Sequence, residues 1–220
     1  MQLTRPMLLL VVGTALAIGI LRLTFFSISK ATSFAGCPAN LSQEGFDPTQ
    51  TAAIWQNLPI TPLLALSDNL SEAEKKVLGS ASGEKWIEID LSEQRLIAHQ
   101  GDSIFLESPI SSGLWNRTPK GDYRIWYKIR ATKMEGGNKA TNTYYYLPNV
   151  PYTMFFYKDF GIHGTYWHSN FGKPMSHGCV NAPTTVAEKL FYWADPPVPD
   201  GKWAVRSSDS NPGTRVIVHE

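Results

Sequence analysis

The sequence predicts a mainly β domain over residues 85–220, a sandwich or barrel-like pair of sheets with one prominent helix. Three observations predict it. From Lys85 onward, apolar residues recur at period two in short runs separated by turn residues. One stretch alone, Val186 to Ala194, carries helical spacing, and no repeat or low-complexity array is present.

The N-terminal third is different in kind. Arg5 precedes an uncharged stretch from Met7 to Leu21, the charge order of a secretory signal. Leu23, Phe25, Phe26 and Ile28 extend its apolar character toward the ~20 residues that span a bilayer. Residues 1–30 are therefore expected to be a cleaved signal peptide or a transmembrane anchor, and both stay open. Either places everything after Lys30 outside the cytoplasm, in the periplasm or on the outer face of the cytoplasmic membrane. Residues 31–84, punctuated by Pro48, Pro59 and Pro62, read as a spacer. Ser71 and Glu74 form a capping-box pattern that predicts one short helix within it. Cys37 falls in this spacer, where Phe34-Ala35-Gly36-Cys37 faintly resembles a lipoprotein processing site; a bland linker cysteine is the preferred reading.

In the domain, Ile87, Ile89 and Leu91 alternate with Glu88 and Asp90, and Ser92-Glu93-Gln94 separates them from Arg95 to His99, which reads as a hairpin. Gly101-Asp102 turns the chain into a strand over Ser103 to Ile110, and Thr118-Pro119-Lys120-Gly121 is a further tight turn. Tyr123, Ile125, Tyr127 and Ile129 then predict one strand with Arg124, Lys128 and Arg130 on its opposite face. Tyr152 to Phe156 is an apolar strand leading to His163. Pro183 suits the first turn of the helix that follows Cys179, and Trp203 to Val205 and Val216 to Val218 read as closing strands. Tyr144, Tyr145 and Tyr146 are expected to pack or to line a lid.

A formal net charge of +1 and the lack of a long basic block exclude nucleic acid as the expected partner. The chemistry concentrates in Gly161 to Asn181, which holds three of five histidines and one of two cysteines. A thiol is a strong nucleophile only as thiolate, so a reactive cysteine needs a nearby base and donors for the developing oxyanion. His163, ending an apolar run and followed by Gly164, is the candidate base. Gly178 lets a substrate approach the backbone, and its N–H with that of Cys179 is a candidate oxyanion hole. His177 adjoins the same turn and reads as an orienting group before a catalytic one. His168 reads as a packed residue, and Trp167 as a groove wall or a core cap.

His163-Gly164-Thr165, a gap, then Ser176-His177-Gly178-Cys179-Val180-Asn181 resembles the signature of the L,D-transpeptidase catalytic domain, the YkuD-like family. The turn Thr118 to Tyr123 resembles that family's Thr-Pro-x-Gly-x-aromatic turn, and Asn149 to Phe156 its pocket-forming strand. The resemblance implies Cys179 as nucleophile and His163 as base, sixteen positions apart. It implies substrate contacts at Tyr152, Met154, Thr165, Trp167, Ser176 and Asn181. It further implies a thioester acyl-enzyme on Cys179, peptidoglycan stem peptides as substrates, cross-linking in cell-wall biogenesis, and carbapenem-type β-lactams as covalent inhibitors, with no cofactor and no metal. Water as acceptor would make the same site an L,D-carboxypeptidase, and a lipoprotein lysine would make it a protein-attachment enzyme. Readings of another class are a zinc module built from His163, His168, His177 and Cys179, which lack paired zinc spacing, and a non-catalytic wall-binding domain.

Overall fold

A computed structural model describes residues 45–220 except 67, 81 and 82. The expectations about residues 1–30, Cys37 and the start of the spacer lie outside the described residues. The chain first forms β1 (Ala53–Trp55), β2 (Leu58–Ile60) and α1 (Glu72–Gly79). Then come β3 (Lys85–Asp90), β4 (Arg95–Gln100), β5 (Ser103–Pro109), β6 (Gly121–Arg124), β7 (Tyr127–Gly136) and β8 (Tyr145–Tyr157). Last are β9 (Phe160–Thr165), β10 (Val180–Pro183), α2 (Thr184–Trp193), β11 (Ala204–Arg206) and β12 (Arg215–His219).

The strands make two sheets, as the alternation predicts. One has five strands in the order β5-β4-β3-β12-β6; the other has seven, with β10-β9-β8-β1-β2 along one path and β7 and β11 on the far edge of β8. The larger apolar cluster lies where both sheets meet α2: Ile87, Ile89 and Leu96 from one sheet, Met154 and Ile162 from the other, and Leu190, Phe191 and Trp193 from the helix. A second cluster on the opposite face of the seven-stranded sheet holds Tyr127, Met134, Tyr145, Leu147, Phe155 and Cys179.

The strand read over Tyr123 to Ile129 is two strands in different sheets. Ile125 N–H donates to Thr214 O at 2.9 Å and Trp126 N–H to Phe155 O at 2.9 Å, so the chain changes sheets between adjacent residues without losing its apolar alternation. Lys128 does not face solvent: its side chain is fully buried, and Nζ donates to the carbonyls of Ala194 and Pro196 just past α2. Lys85 Nζ donates to Trp193 O at 2.9 Å. Together the two lysines engage carbonyls that a helix end leaves without an internal partner.

Residues 45–80 do more than connect. α1 carries the predicted capping box, and the Glu188 carboxylate of α2 accepts from Asn69 N–H at 2.6 Å, Leu70 N–H at 3.1 Å and Asn69 Nδ2 at 2.8 Å. Asp68 accepts from Lys75 Nζ at 2.6 Å, from Tyr152 OH at 2.7 Å and from Arg130. Upstream of these anchors, β1 and β2 form a hairpin through a two-residue turn in which Gln56 and Asn57 both have positive φ, 51° and 64°.

Candidate active site

Cys179 and its candidate base, His163, are placed on neighbouring strands by sheet register. β10 runs parallel to β9, with Val180 opposite Ile162 and Asn181 opposite His163. Cys179, one residue before β10, falls beside Gly161. The two-residue period then puts Cys179, His163 and Asn181 on one face, while Ile162, Val180 and Ala182 enter the larger cluster on the other.

The loop before Cys179 has no neighbouring strand, and residues 110–114 act as one. Gly172 N–H donates to Ile110 O, Met175 and Ser176 N–H to Ser112 O, Leu114 N–H to Ser176 O, and Ser111 and Asn181 exchange both backbone bonds at 2.9 Å. Side chains complete the brace. Thr118 Oγ1 accepts from Gly113 N–H and donates to Gly178 O, both at 2.8 Å. Ser176 Oγ donates to Cys179 O and accepts from Gly178 N–H at 3.0 Å.

That last bond redirects one expectation: the Gly178 N–H is spent inside the loop rather than aimed at a substrate. Glycine is needed there for another reason, because φ is +143° and a Cβ would stand 2.4 Å from the Phe160 ring.

Cys179 is outside any disulfide and fully buried, and its Sγ–H donates to Asp159 O at 3.6 Å, a contact of the protonated thiol. His163 is 1% exposed, and its Nδ1 lies 3.1 Å from Gly164 O. Only an N–H makes that contact, so the proton sits on Nδ1 and Nε2 keeps the lone pair a base requires.

A narrow cavity of ≈ 10 Å³ is lined by His163, Trp167, Ser176, His177 and Asn181, with Met134, Tyr145 and Leu147 from the β7–β8 hairpin and Trp55 from β1. His177 thus faces the chamber. Its ring packs on Tyr145 with centroids 4.8 Å apart, and burial followed by the charge of Arg117 lowers its pKa. His168 packs half-buried against Trp55, Trp167 and Phe171. Burial, then the neighbouring His163, depress its pKa to about 4, and its Nδ1 accepts from Asn170 N–H at 3.3 Å. Its Nε2 lies 2.8 Å from Asn181 Nδ2, while Asn181 Oδ1 has no partner. His168 therefore fixes the amide beside His163. Buried polar atoms without a partner collect here: His177 Nε2, Trp167 Nε1 and one end of the Asn181 amide.

Of the expected substrate contacts, Trp167, Ser176 and Asn181 line the chamber, and Thr165 closes β9 beside it with a buried Oγ1 that has no partner. Tyr152 and Met154 face the other way, into the larger cluster, where Tyr152 OH donates to Asp68. Positive φ at Asn149 (55°) and Tyr152 (54°) breaks the alternation of β8, so Tyr145 and Leu147 line the chamber instead and Val150 joins their cluster. Of the tyrosine triplet, expected to pack or to line a lid, Tyr145 packs into the chamber wall, while Tyr144 and Tyr146 donate to Glu135 and Gln50. Trp55 escaped the sequence reading, although Gln56-Asn57 between Ile54-Trp55 and Leu58 is itself a hairpin signal. Among the described residues no three His, Cys, Asp or Glu side chains converge as a metal-ligand set.

Comparison with known proteins places this geometry. The family pattern of the L,D-transpeptidase catalytic domain, YkuD, matches residues 84–218. The fold resembles an L,D-transpeptidase from Mycobacterium smegmatis, with 18% identity and a TM-score of 0.50 over 63% of this chain and 60% of that one. An Enterococcus faecium L,D-transpeptidase, solved as a cysteine-to-serine mutant, is 29% identical with a TM-score of 0.48 over 62% of this chain and 50% of that one. The catalytic domain from the E. faecium enzyme, in an NMR structure acylated by ertapenem, is 29% identical with a TM-score of 0.46 over 63% of this chain and 98% of that one. The match thus takes in about half to three-fifths of the two longer proteins. Comparison with curated proteins gave no match.

Proposed function

The chain belongs to the L,D-transpeptidase catalytic domain family, and from that premise we propose that it is an exported enzyme that cross-links peptidoglycan stem peptides through a thioester on Cys179. One observation supports the reading above the others: Cys179, His163 and Asn181 share one face of the β9–β10 pair, with the lone pair of His163 on Nε2.

In the first half-reaction His163 Nε2 takes the thiol proton and Sγ attacks the carbonyl of the L-centre residue in a tetrapeptide stem. The terminal D-alanine leaves with a proton returned by the imidazolium, and the acyl group stays on sulfur. In the second, a side-chain amine of another stem attacks the thioester, gives its proton to His163, and restores the thiol as the new amide forms. Water in place of the amine gives L,D-carboxypeptidase activity, and a lysine of another protein gives attachment to the wall.

A carbapenem offers the same thiolate a strained carbonyl, so incubation should add one drug mass per chain, on Cys179. A Cys179→Ala chain that still acquires that mass would remove the nucleophile from this reading.

A further inference from the structure

We propose that residues 45–60, which precede the matched region, form an intramolecular cap whose Trp55 closes the catalytic chamber until the hairpin lifts. The inference rests on the reading of Cys179 as nucleophile for its consequence, turnover, but the closure itself is a matter of access to sulfur.

Size sets the problem. Ligand sites for small molecules commonly measure roughly 300–1,000 Å³, whereas this chamber measures ≈ 10 Å³, room for one water, and Cys179 is fully buried. A stem peptide reaches the sulfur only after a wall moves.

Trp55 is the wall with least behind it. It lines the chamber on one side and is partly exposed on the other. Its ring stands 5.8 Å from Trp167, 6.0 Å from His168, 6.2 Å from Tyr145 and 6.4 Å from His177, measured between centroids. Apart from Trp167, which lies just past β9, the remaining walls come from β7, β8, β9, β10 and the braced cysteine loop, which are fixed by sheet pairing or by the brace on residues 110–114.

The hairpin's own attachments are light. Ile54 opposite Tyr146 is its one register pair with β8, and Ala53 is its one fully buried residue. Polar clasps hold both ends. Asp47 and Asn149 exchange two hydrogen bonds, at 2.9 and 2.8 Å, and Tyr146 OH donates to Gln50 at 2.6 Å. At the turn, Asn57 N–H donates to Tyr144 O at 3.1 Å, while its side chain donates to Lys139 O at 2.7 Å and Asn142 Oδ1 at 2.8 Å. Beyond the hairpin, Asp68, Asn69 and Leu70 are anchored separately. Residues 61–66 can therefore serve as the hinge while α1 stays docked. The clasp at the turn is exposed and those at the other end are part-buried, and a segment held by a few such bonds opens locally at lower cost than the sheets behind it.

The test measures alkylation of Cys179 by iodoacetamide in the full chain carrying Cys37→Ala, read as peptide-resolved mass against an added reference thiol. Trp55→Ala should raise the rate at least tenfold by removing the plug. Asn57→Ala, outside the chamber, should raise it about threefold by loosening the clasp at a positive-φ turn, with the thermal midpoint of the domain nearly unchanged. Wild-type Cys179 reacting as fast as the Trp55→Ala protein would overturn the cap. A rate unchanged in Asn57→Ala would make the hairpin a fixed wall and overturn its lifting, whether or not Trp55→Ala folds. Because alkylation needs no peptide substrate, a cap that behaves as expected in a chain that forms no acyl-enzyme would leave the cap standing and sink the transpeptidase reading.

Discussion

In the cluster behind α2, Lys128 Nζ is held by two carbonyls, Lys85 Nζ by a third, and the Glu188 carboxylate by three N–H donors. Around His163, on the other face of the same sheet, His177 Nε2, Trp167 Nε1 and one end of the Asn181 amide are buried with no partner. Both regions bury polar groups, which costs free energy unless bonds are made. The first makes them within the fold and so stabilises it. The second leaves them unmade beside the proposed site, where a bound group would complete them. Substitutions in the two regions should therefore separate stability from chemistry.

The largest expected effect is at the base. His163→Ala should slow acylation of Cys179 by about 10²–10⁴-fold, His177→Ala less, and His168→Ala by under about tenfold, since His168 acts through Asn181. Stopped-flow acylation with a carbapenem ranks the three. A His177→Ala chain that loses the pH dependence of acylation while His163→Ala keeps it would exchange their roles.

Next is Glu188. Glu188→Ala leaves two backbone N–H groups near Asn69 without an acceptor and should cost about 2–4 kcal/mol of stability, read as a lower denaturation midpoint with the acylation rate changed less than twofold. Glu188→Gln keeps one acceptor and should lose about half as much. An acylation rate that falls with stability in either variant would erase the separation of the two regions.

The smallest effect is electrostatic. His168 titrates near pH 4 in the fold because burial disfavours its charged form. The unfolded chain, with an imidazole near 6.5, thus binds more protons between these values. Its contribution is fully present above about pH 6.5 and is lost as pH falls toward 4. After allowance for partial solvent screening, wild type should lose about 1–2 kcal/mol more than His168→Gln across that window. Equal losses would place the His168 ring in solvent.

Much of this was legible in the sequence. The hairpin of β3 and β4, the capping box of α1, the helix after Cys179 and the closing strands follow from periodicity and local turn chemistry. Cys179 and His163 were candidates from a motif, and the register of β9 and β10 sets them on one face. What was hidden depends on backbone events that side-chain pattern does not encode. The sheet change between Ile125 and Trp126 preserves alternation, and the positive φ at Asn149 and Tyr152 turns Tyr152 and Met154 away from the chamber. The pairing of Gly178 N–H with Ser176 Oγ and the arrival of Trp55 at the site are likewise tertiary facts.

The most direct measurement of the central claim is the intact mass of the protein after incubation with a tetrapeptide stem, followed by peptide mapping. The expected result is one added stem, less its terminal D-alanine, on Cys179, labile to hydroxylamine as a thioester is and absent from Cys179→Ala. An unmodified chain in a preparation whose Cys179 is demonstrably reactive toward iodoacetamide, or an adduct that maps to another residue, would contradict it.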